Sequence, residues 1–518
     1  MPLEKKTVLM HRMKLNNKIF WSIVLCITGL MGFSQQSTYN KDSRPNILWI
    51  MAEDMSIDLG CYGMPAVKTP VLDELAATGI QFMNCYGTNS ICSPSRSNMI
   101  TGVHQNITNT QHHRSNRSIP LQAPYQPITK YLRDAGYTCI LGSKLVKGGS
   151  KKVDVNFKHK AIGPWDGRTQ FGLFNKANTI TPEDQPFFAQ VTLTVTHRGD
   201  WWNQIRKKSS HKVNPEDGEL PPYIADTPET RLDWAKYLDQ IEYMDNEVKI
   251  LLDDLRDKNM FDNTIVVFVG DNGRCNVRGK GYLYDPGLHL PLIVNWPAGI
   301  KQSIKDDRLV TPLDIAASAL DVADVELPEY MTARSLLGQE LNRSYVYSAR
   351  DLWDEVLEQS RAITTDKYRY IKNYNTKLPL DAHQAYLEFY RPAVHIMRGL
   401  YKEGKLDPLQ SKFFEPKVEE ELYDLINDPH ETVNLATNKK YKKILKTMRG
   451  HLHDWQQTHH DFGLDSINWE QAPPPKAPAV IDWLKAYHPE VISAMEKGVE
   501  PGFQKWVKAY KKFKANEK

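Results

Sequence analysis

Three predominantly apolar runs of strand length constrain this chain more than any other feature. Asn46-Ile47-Leu48-Trp49-Ile50-Met51-Ala52 ends in Glu53-Asp54, Phe187 to Val195 ends in Thr196-His197, and Thr264-Ile265-Val266-Val267-Phe268-Val269-Gly270 ends in Asp271-Asn272. A strand that is apolar on both faces must be covered on both faces, which is the condition of a parallel sheet held between helices. The helical signals fit that arrangement. Thr227-Pro228 opens a helix in which Leu232, Ala235, Leu238, Ile241, Met244, Val248, Leu251, Leu252 and Leu255 recur at helical spacing. That stripe is core packing, and it lies between the second run and the third. Thr69-Pro70 opens another helix through Leu72, Leu75 and Ala76. Strand and helix alternation predicts a doubly wound α/β sheet. Functional groups in such sheets gather beyond the carboxyl ends of the strands. A polar residue after one strand is an ordinary turn; three segments delivering acids, an amide and an imidazole to one edge make a site.

A nucleophile is supplied by Cys92-Ser93-Pro94-Ser95-Arg96-Ser97-Asn98-Met99-Ile100-Thr101-Gly102. Ser93 suits an N-cap, Pro94 the first helical position and Gly102 the end of a short helix. Cys92 then lies where backbone N–H groups and the helix dipole favour an anion, with the Arg96 guanidinium close by. Standing alone, Cys92 would read as an inert buried thiol. The pattern Cys-x-Pro-Ser-Arg-x-x-x-x-Thr-Gly resembles the signature of type I sulfatases, in the alkaline phosphatase superfamily. The resemblance implies that a formylglycine-generating maturase converts Cys92 to formylglycine (3-oxoalanine). The hydrated aldehyde then attacks the sulfur of a sulfate ester, and the sulfated hydrate collapses to aldehyde and sulfate.

Glu53, Asp54, Asp271 and Asn272 offer carboxylate and amide oxygens, hard donors that suit Ca²⁺ or Mg²⁺. The resemblance implies one Ca²⁺ per chain on these four residues, in contact also with the modified residue 92. Glu53 departs from the more usual Asp; it keeps the charge on a longer side chain. Arg96 can offer a fork of donors to sulfate. Lys280, in Arg278-Gly279-Lys280-Gly281-Tyr282-Leu283-Tyr284-Asp285-Pro286-Gly287, resembles the sulfatase Gly-Lys-x-x-x-Tyr-Glu-x-Gly segment. Its implied role is to bind sulfate and help protonate the leaving oxygen. His197 carries over as a leaving-group acid or a sulfate ligand.

One element departs from the family. Sulfatases commonly carry Gly-Lys-Trp-His after the strand that here reads Tyr137-Thr138-Cys139-Ile140-Leu141, and this chain has Gly142-Ser143-Lys144-Leu145. Lys144 is assigned the sulfate-holding role because it follows that strand most closely. Lys152 competes. Its segment Lys152-Val153-Asp154-Val155-Asn156-Phe157 resembles the Lys-Thr-Asp-Tyr-Asn-Phe of some bacterial sulfatases, and the Gly148-Gly149-Ser150 loop can carry it in. The usual His is absent from both places; His112 or His113 supplies the missing imidazole, or both are exposed loop residues.

The resemblance runs from Arg44 to about Ala436. It includes Pro186-Phe187-Phe188-Ala189, Asp226-Thr227-Pro228-Glu229 and Glu421-Leu422-Tyr423-Asp424-Leu425-Ile426-Asn427-Asp428-Pro429-His430-Glu431, which look like the branch holding heparan N-sulfatase and bacterial polysaccharide sulfatases. It implies an alkaline phosphatase-like fold: a large, mostly parallel sheet sandwiched by helices, with a smaller C-terminal α+β domain around an antiparallel sheet. Candidate strands there are Tyr345-Val346-Tyr347-Ser348 and Tyr368-Arg369-Tyr370-Ile371. The organisation predicted is a signal peptide over 1–34, a catalytic domain over 35–340 and a smaller subdomain over 341–470. A Pro-rich connection and basic, aromatic tail follow over 471–518, packing as a short helix or lying on the surface.

The N-terminus reads as a targeting segment. Lys5, Lys6, Arg12, Lys14 and Lys18 precede the apolar run Ile19 to Phe33, and Gly32 and Ser34 suit cleavage after Ser34. The run is short for a bilayer span, so no stable membrane anchor is expected. Secretion or a periplasmic location follows. Removing the leader leaves Cys61, Cys85, Cys92, Cys139 and Cys275, an odd number that leaves one thiol unpaired or chemically altered. A net charge of +4 over 518 residues does not indicate nucleic acid. The reading is an exported sulfatase acting on a sulfated carbohydrate. Its rivals are a phosphatase or phosphodiesterase of the same superfamily, which generally uses Ser or Thr and two zinc ions, and a noncatalytic glycan-binding protein on the same scaffold.

Overall fold

A computed structural model describes residues 44–163, 171–338, 341–354, 356–382, 384–465 and 476–516. The leader predicted over 1–34 and residues 471–475 of the Pro-rich connection lie outside the described residues. The strands in chain order are β1 (Asn46–Ala52), β2 (Ile80–Cys85), β3 (Thr138–Leu141), β4 (His159–Ile162), β5 (Phe171–Phe174), β6 (Lys176–Ala177), β7 (Phe187–Leu193), β8 (Thr264–Gly270), β9 (Leu292–Asn295), β10 (Ile304–Val310), β11 (Val346–Arg350), β12 (Ser360–Thr364), β13 (Tyr368–Asn373) and β14 (Glu420–Asp424). An eight-stranded sheet has the order β10-β2-β9-β8-β1-β7-β3-β6. Within it β9 alone runs antiparallel to its neighbours β2 and β8. The four strands β11-β12-β13-β14 form a separate antiparallel sheet.

The three apolar runs are the centre of the large sheet. β1 lies between β7 and β8, parallel to both, and all residues of the three strands are buried. Ala52 is level with Leu193 and Gly270, so the three strands end on one line. Glu53-Asp54, Asp271-Asn272 and, after a short turn, His197 therefore start from adjacent points on one edge.

The helix predicted from Thr227 spans Pro228–Asp257, and Thr227 caps it by accepting the Thr230 N–H. Leu238, Ile241, Met244, Val248 and Leu252 are fully buried in the core cluster with β1, β7 and β8. Burial of each such side chain stabilises by about 1.5–3 kcal/mol. Leu232 departs from the predicted stripe and is 38% exposed, because the buried face of this part of the helix runs through Thr230, Asp233, Trp234 and Tyr237.

The Cys92–Thr101 helix is buried on every side. It starts two residues earlier than predicted, after an extended Ile91 that gives no side-chain cap. Ser93 does not cap the helix; its Oγ accepts the Arg114 N–H at 3.0 Å. Gly102 ends the helix at φ +65°, as its lack of a Cβ allows. The buried polar side chains are matched locally: Ser95 Oγ donates to the Asp271 carbonyl (2.5 Å) and Ser97 Oγ to the Ser93 carbonyl (2.6 Å).

The small sheet abuts this helix. Ser348 Oγ donates to the Gly87 carbonyl and Asn89 Nδ2 to the Ala349 carbonyl, which joins β11 to the loop before Cys92. The Lys442–Thr458 helix covers the outer face through Leu445, Met448, Leu452 and Trp455. The tail is more structured than predicted. It forms three helices, Lys476–Tyr487, Pro489–Glu496 and Phe503–Asn516, because Trp483, Leu484 and Met495 pack with Phe389 and Tyr390. Among the described residues no helix is long and apolar enough to cross a membrane.

Candidate active site

The sheet edge and the Cys92 helix meet in one buried cluster. Cys92 Sγ lies 3.1 Å from Lys280 Nζ and 3.8 Å from Asp54 Oδ1. Lys280 Nζ is 2.6 Å from the same Asp54 oxygen, and Asn272 Nδ2 donates to it at 3.0 Å. Asp54 is held at φ +50°, a conformation rare for a side-chain-bearing residue, and its N–H donates to Asp271 Oδ1 at 3.0 Å. Asp54, Cys92 and Asp271 have potential ligand atoms within 4.8 Å of one another.

Arg96 is directed to protein carboxylates rather than into the pocket. Its Nε donates to Asp271 Oδ2 (2.9 Å), Nη2 to Glu53 Oε1 (3.1 Å) and Nη1 to Thr192 Oγ1 (3.1 Å). The guanidinium fork thus fixes two of the acids that the sequence places at the metal.

Lys152 enters the cluster and Lys144 does not. Lys152 Nζ pairs with Glu53 Oε1 at 2.5 Å and Asp154 Oδ2 at 3.4 Å. Lys144 is exposed, its N–H bonds the Asn178 carbonyl, and it lines a small cavity together with Leu251 and Asp254 of the long helix. The reason lies in the register. β3 stops at Leu141, paired with Gln190, three residues short of Leu193 where β7 reaches the edge. Lys144 leaves the sheet too early, and the 143–151 loop carries the chain on to Lys152, whose carbonyl meets Thr192 and Arg96.

His197 Nε2 is 3.9 Å from Asp54 Oδ2. Its Nδ1 is 3.0 Å from the Arg198 carbonyl, which can only accept, so Nδ1 carries the hydrogen. The two neighbouring histidines divide. His113 is buried against the site, with Nε2 3.9 Å from Asp354 Oδ1. His112 turns away: its Nδ1 accepts from the Leu352 N–H, and Arg361 and Asp461 are the charges it senses.

Charge states follow from burial and neighbours. Burial works against the Asp54 carboxylate, but Lys280 and His197 hold it down to about 2. Burial likewise opposes the Lys280 charge, and Asp54 keeps it well above the ordinary lysine range. Burial lowers His197 to about 4 despite Asp54, so the ring is neutral at pH 7. The unmodified Cys92 thiol is pushed up to about 12 by burial, with Lys280 pulling it down. Burial pushes Asp271 up against the pull of Arg96, and Glu53 and Asp54 add to the rise. Three carboxylates, Glu53, Asp54 and Asp271, thus face three cations, Arg96, Lys152 and Lys280.

Two oxygens in this cluster are orphans. Asp54 Oδ2 and Asn272 Oδ1 are buried with no hydrogen-bond partner among the described residues. A buried carboxylate oxygen and amide oxygen without donors are costly unless a cation meets them. Oxygen donors, with no converging pair of imidazoles among the described residues, suit Ca²⁺ and not a two-zinc centre. None of the five described cysteines forms a disulfide.

Sequence reasoning misses Arg114, Asp154 and Tyr386. Arg114 and Asp154 form a two-pronged ion pair beside Lys152, and Tyr386 Oη is 3.2 Å from His197 Nδ1. Arg114 follows the paired histidines and Asp154 lies in the Lys152 segment, but no spacing rule links them across 40 positions. No signal points to Tyr386, 189 positions from His197.

Comparison with known proteins gives the family, and with it the activity of a sulfuric ester hydrolase. The sulfatase family profile matches residues 45–325, and the chain belongs to that family. The profile of the N-sulphoglucosamine sulphohydrolase C-terminal region matches residues 273–381, consistent with the type I branch. A relative named ulvan-active sulfatase, from Formosa agariphila, is 30% identical over 504 residues, covering 85% of this chain and 81% of its own. Human N-sulphoglucosamine sulphohydrolase is 29% identical over 485 residues, covering 81% of this chain and 91% of its own. A solved 2-O GAG sulfatase shares the fold with a TM-score of 0.56 at 20% identity, covering 84% of this chain and 99% of that chain.

Proposed function

We propose that this chain is an exported enzyme that removes sulfate from a sulfated carbohydrate, using a formylglycine made from Cys92 and one Ca²⁺. The observation that carries this reading is the cluster itself: Cys92 Sγ lies between Lys280 and Asp54, beside the orphaned oxygens of Asp54 and Asn272. The substrate class is supported by the ulvan-active and N-sulphoglucosamine relatives. Export is supported by the basic and then apolar segment ending near Ser34.

Glu53, Asp54, Asp271 and Asn272 would hold the cation, whose charge would screen the sulfate and favour charge developing on its oxygens. Hydrated formylglycine at position 92 would supply an oxygen nucleophile. The side chains of this chain do the rest. Asp54 accepts from the group at position 92 and orients it. Lys280 and Lys152 present ammonium groups to sulfate oxygens from two sides. Arg96 holds Glu53 and Asp271 in place. Lys280, held charged beside Asp54, delivers a proton to the departing sugar oxygen; His197, neutral with its hydrogen on Nδ1, would do so only after taking up a proton at Nε2. His113 closes the pocket wall next to Asp354.

The test is made on protein from its native host. Mass analysis of the peptide containing Cys92 is expected to show an aldehyde, the product of a maturase acting on this chain. Cys92→Ala is expected to abolish sulfate release from sulfated oligosaccharides with an unchanged fold by circular dichroism. Near-normal turnover in Cys92→Ala, or a free thiol at full activity, would overturn the mechanism.

A further inference from the structure

Beside Lys152, two partly exposed guanidinium groups, Arg114 and Arg117, take no part in the cluster around Cys92. Arg114 donates Nε and Nη2 to the two oxygens of Asp154, at 3.1 and 2.8 Å, and Arg117 Nη2 contacts the same carboxylate. Asp154 is buried and also 3.4 Å from Lys152 Nζ, while the Arg114 and Arg117 side chains are 40% and 46% exposed. Among the described residues neither arginine has a second carboxylate within ion-pairing distance. One carboxylate is therefore shared by three cations, two of which face outward.

The backbone is built to hold this arrangement. Arg114 sits at φ +55° and Asp154 at φ +52°, both in the left-handed region that side-chain-bearing residues rarely occupy. The Arg114 N–H is tied to Ser93 Oγ, the residue after Cys92. Strained backbone persists where the surroundings over-determine it, and it clusters at ligand clamps. A solvated surface pair would need neither the buried carboxylate nor the strain. A planar guanidinium matches the oxygens of carboxylate and sulfate, which an ammonium does not; with Nε and Nη2 of Arg114 and Nη2 of Arg117 on Asp154, the outward Nη1 groups are the donors offered to a ligand.

We propose that Arg114 and Arg117 bind a second oxyanion of the substrate, a carboxylate or a further sulfate on the sugar that carries the scissile ester or on its neighbour. The proposal rests on the reading of the adjoining pocket as a sulfate-ester site. Asp154 is the positioning residue: it orients both forks and ties them to Lys152. The enzyme thereby selects esters on multiply charged sugars.

The experiment compares kcat/KM on four disaccharides of one backbone: monosulfated with no other acid, monosulfated with a uronic acid, the carboxyl-reduced form of the latter, and disulfated. The wild-type protein is expected to prefer a doubly anionic substrate by about tenfold to a hundredfold, the range of one to two charge-assisted contacts. Whether the uronate or the disulfate carries the preference identifies the source of the oxyanion. Arg114→Gln and, independently, the more exposed Arg117→Gln are expected to collapse the selectivity ratio, mainly through KM, and Arg114→Lys to keep part of it. No wild-type preference, or equal losses on all four substrates, overturns the proposal. If the wild type releases sulfate from none of them, the sulfate-ester reading fails instead. Calorimetric titration of the Cys92→Ala protein then still decides the oxyanion site. A second-anion preference in binding that disappears with Arg114→Gln supports it, and its absence in the parent overturns it.

Discussion

Each residue in the pocket works through a charge opposite it, so the useful substitutions are those that change one charge at a time. Lys152 pairs with Glu53 and Asp154 at the cluster, whereas Lys144 is solvated by the long helix. Lys152→Ala is expected to cost about 2–4 kcal/mol of transition-state stabilisation, comparable with loss of one oxyanion donor. Lys144→Ala is expected to stay within about 0.5 kcal/mol, as a surface change away from the site. Steady-state kcat/KM for the two variants on one sulfated oligosaccharide decides the matter, and a large loss confined to Lys144→Ala would reverse the assignment. Residues set by local pattern are legible in the amino-acid sequence. Cys92, Asp54, Asp271, Asn272 and Lys280 follow short motifs or strand ends, and all five meet. The expectation for Lys144 fails because sequence does not show where β3 stops relative to β7. Arg96 reads as a sulfate ligand in the sequence, but its donors go to Asp271 and Glu53, a choice fixed by distant chain segments.

At the scale of elements, the seam between the two sheets is the part with the clearest pH dependence. His104 follows the Cys92 helix, and its ring packs on Tyr347 of β11 and Trp455 of the covering helix, with centroids at 5.1 and 4.9 Å. Its Nδ1 accepts the Asn106 N–H and its Nε2 meets the Tyr347 carbonyl, which satisfies both nitrogens of a neutral ring. Burial lowers this histidine from 6.5 to about 3. The unfolded chain therefore binds a proton here that the folded chain refuses. The contribution to stability is full above about pH 6.5 and is lost as pH falls from there towards 3, on the order of 5 kcal/mol over the whole window. His104→Gln is expected to be less stable than wild type at pH 7, with the gap narrowing as pH drops to 4.5. Thermal melts across that range test this; parallel Tm curves for the two proteins would refute it. Strand and helix identities are largely legible, since continuous apolar runs and Thr-Pro starts are local signals. The start of the Cys92 helix is not, because tertiary contacts recruit Ser93 to Arg114 instead of the helix end.

Across the whole molecule, the large sheet brings three strand ends level, and the charge collected there is expected to make stability and activity depend on one cation. The alternation of apolar runs and helices makes that sheet legible, whereas the antiparallel insertion of β9 and the three-helix tail depend on packing between distant segments. At the shared edge, Asp54 Oδ2 and Asn272 Oδ1 lack donors, and Asp271 is pushed up by burial and its acidic neighbours in spite of Arg96. A divalent cation bound there would relieve all three at once. Binding to the folded state alone stabilises it by RT ln(1 + [L]/Kd), about 2.7 kcal/mol at a hundredfold excess over Kd. Adding Ca²⁺ to chelated protein is thus expected to raise Tm by a few degrees and to restore sulfate release in parallel. Zn²⁺ alone is expected to do neither, because the donors are oxygens without converging imidazoles. In Asp271→Asn the Ca²⁺-dependent Tm shift is expected to vanish together with turnover, while Lys144→Ala keeps both. The Tm measurement needs no substrate, so it separates a lost metal site from a lost catalytic group. A protein shown metal-free by elemental analysis that kept full activity, with a melting temperature indifferent to Ca²⁺, would rule the oxygen-ligand site out.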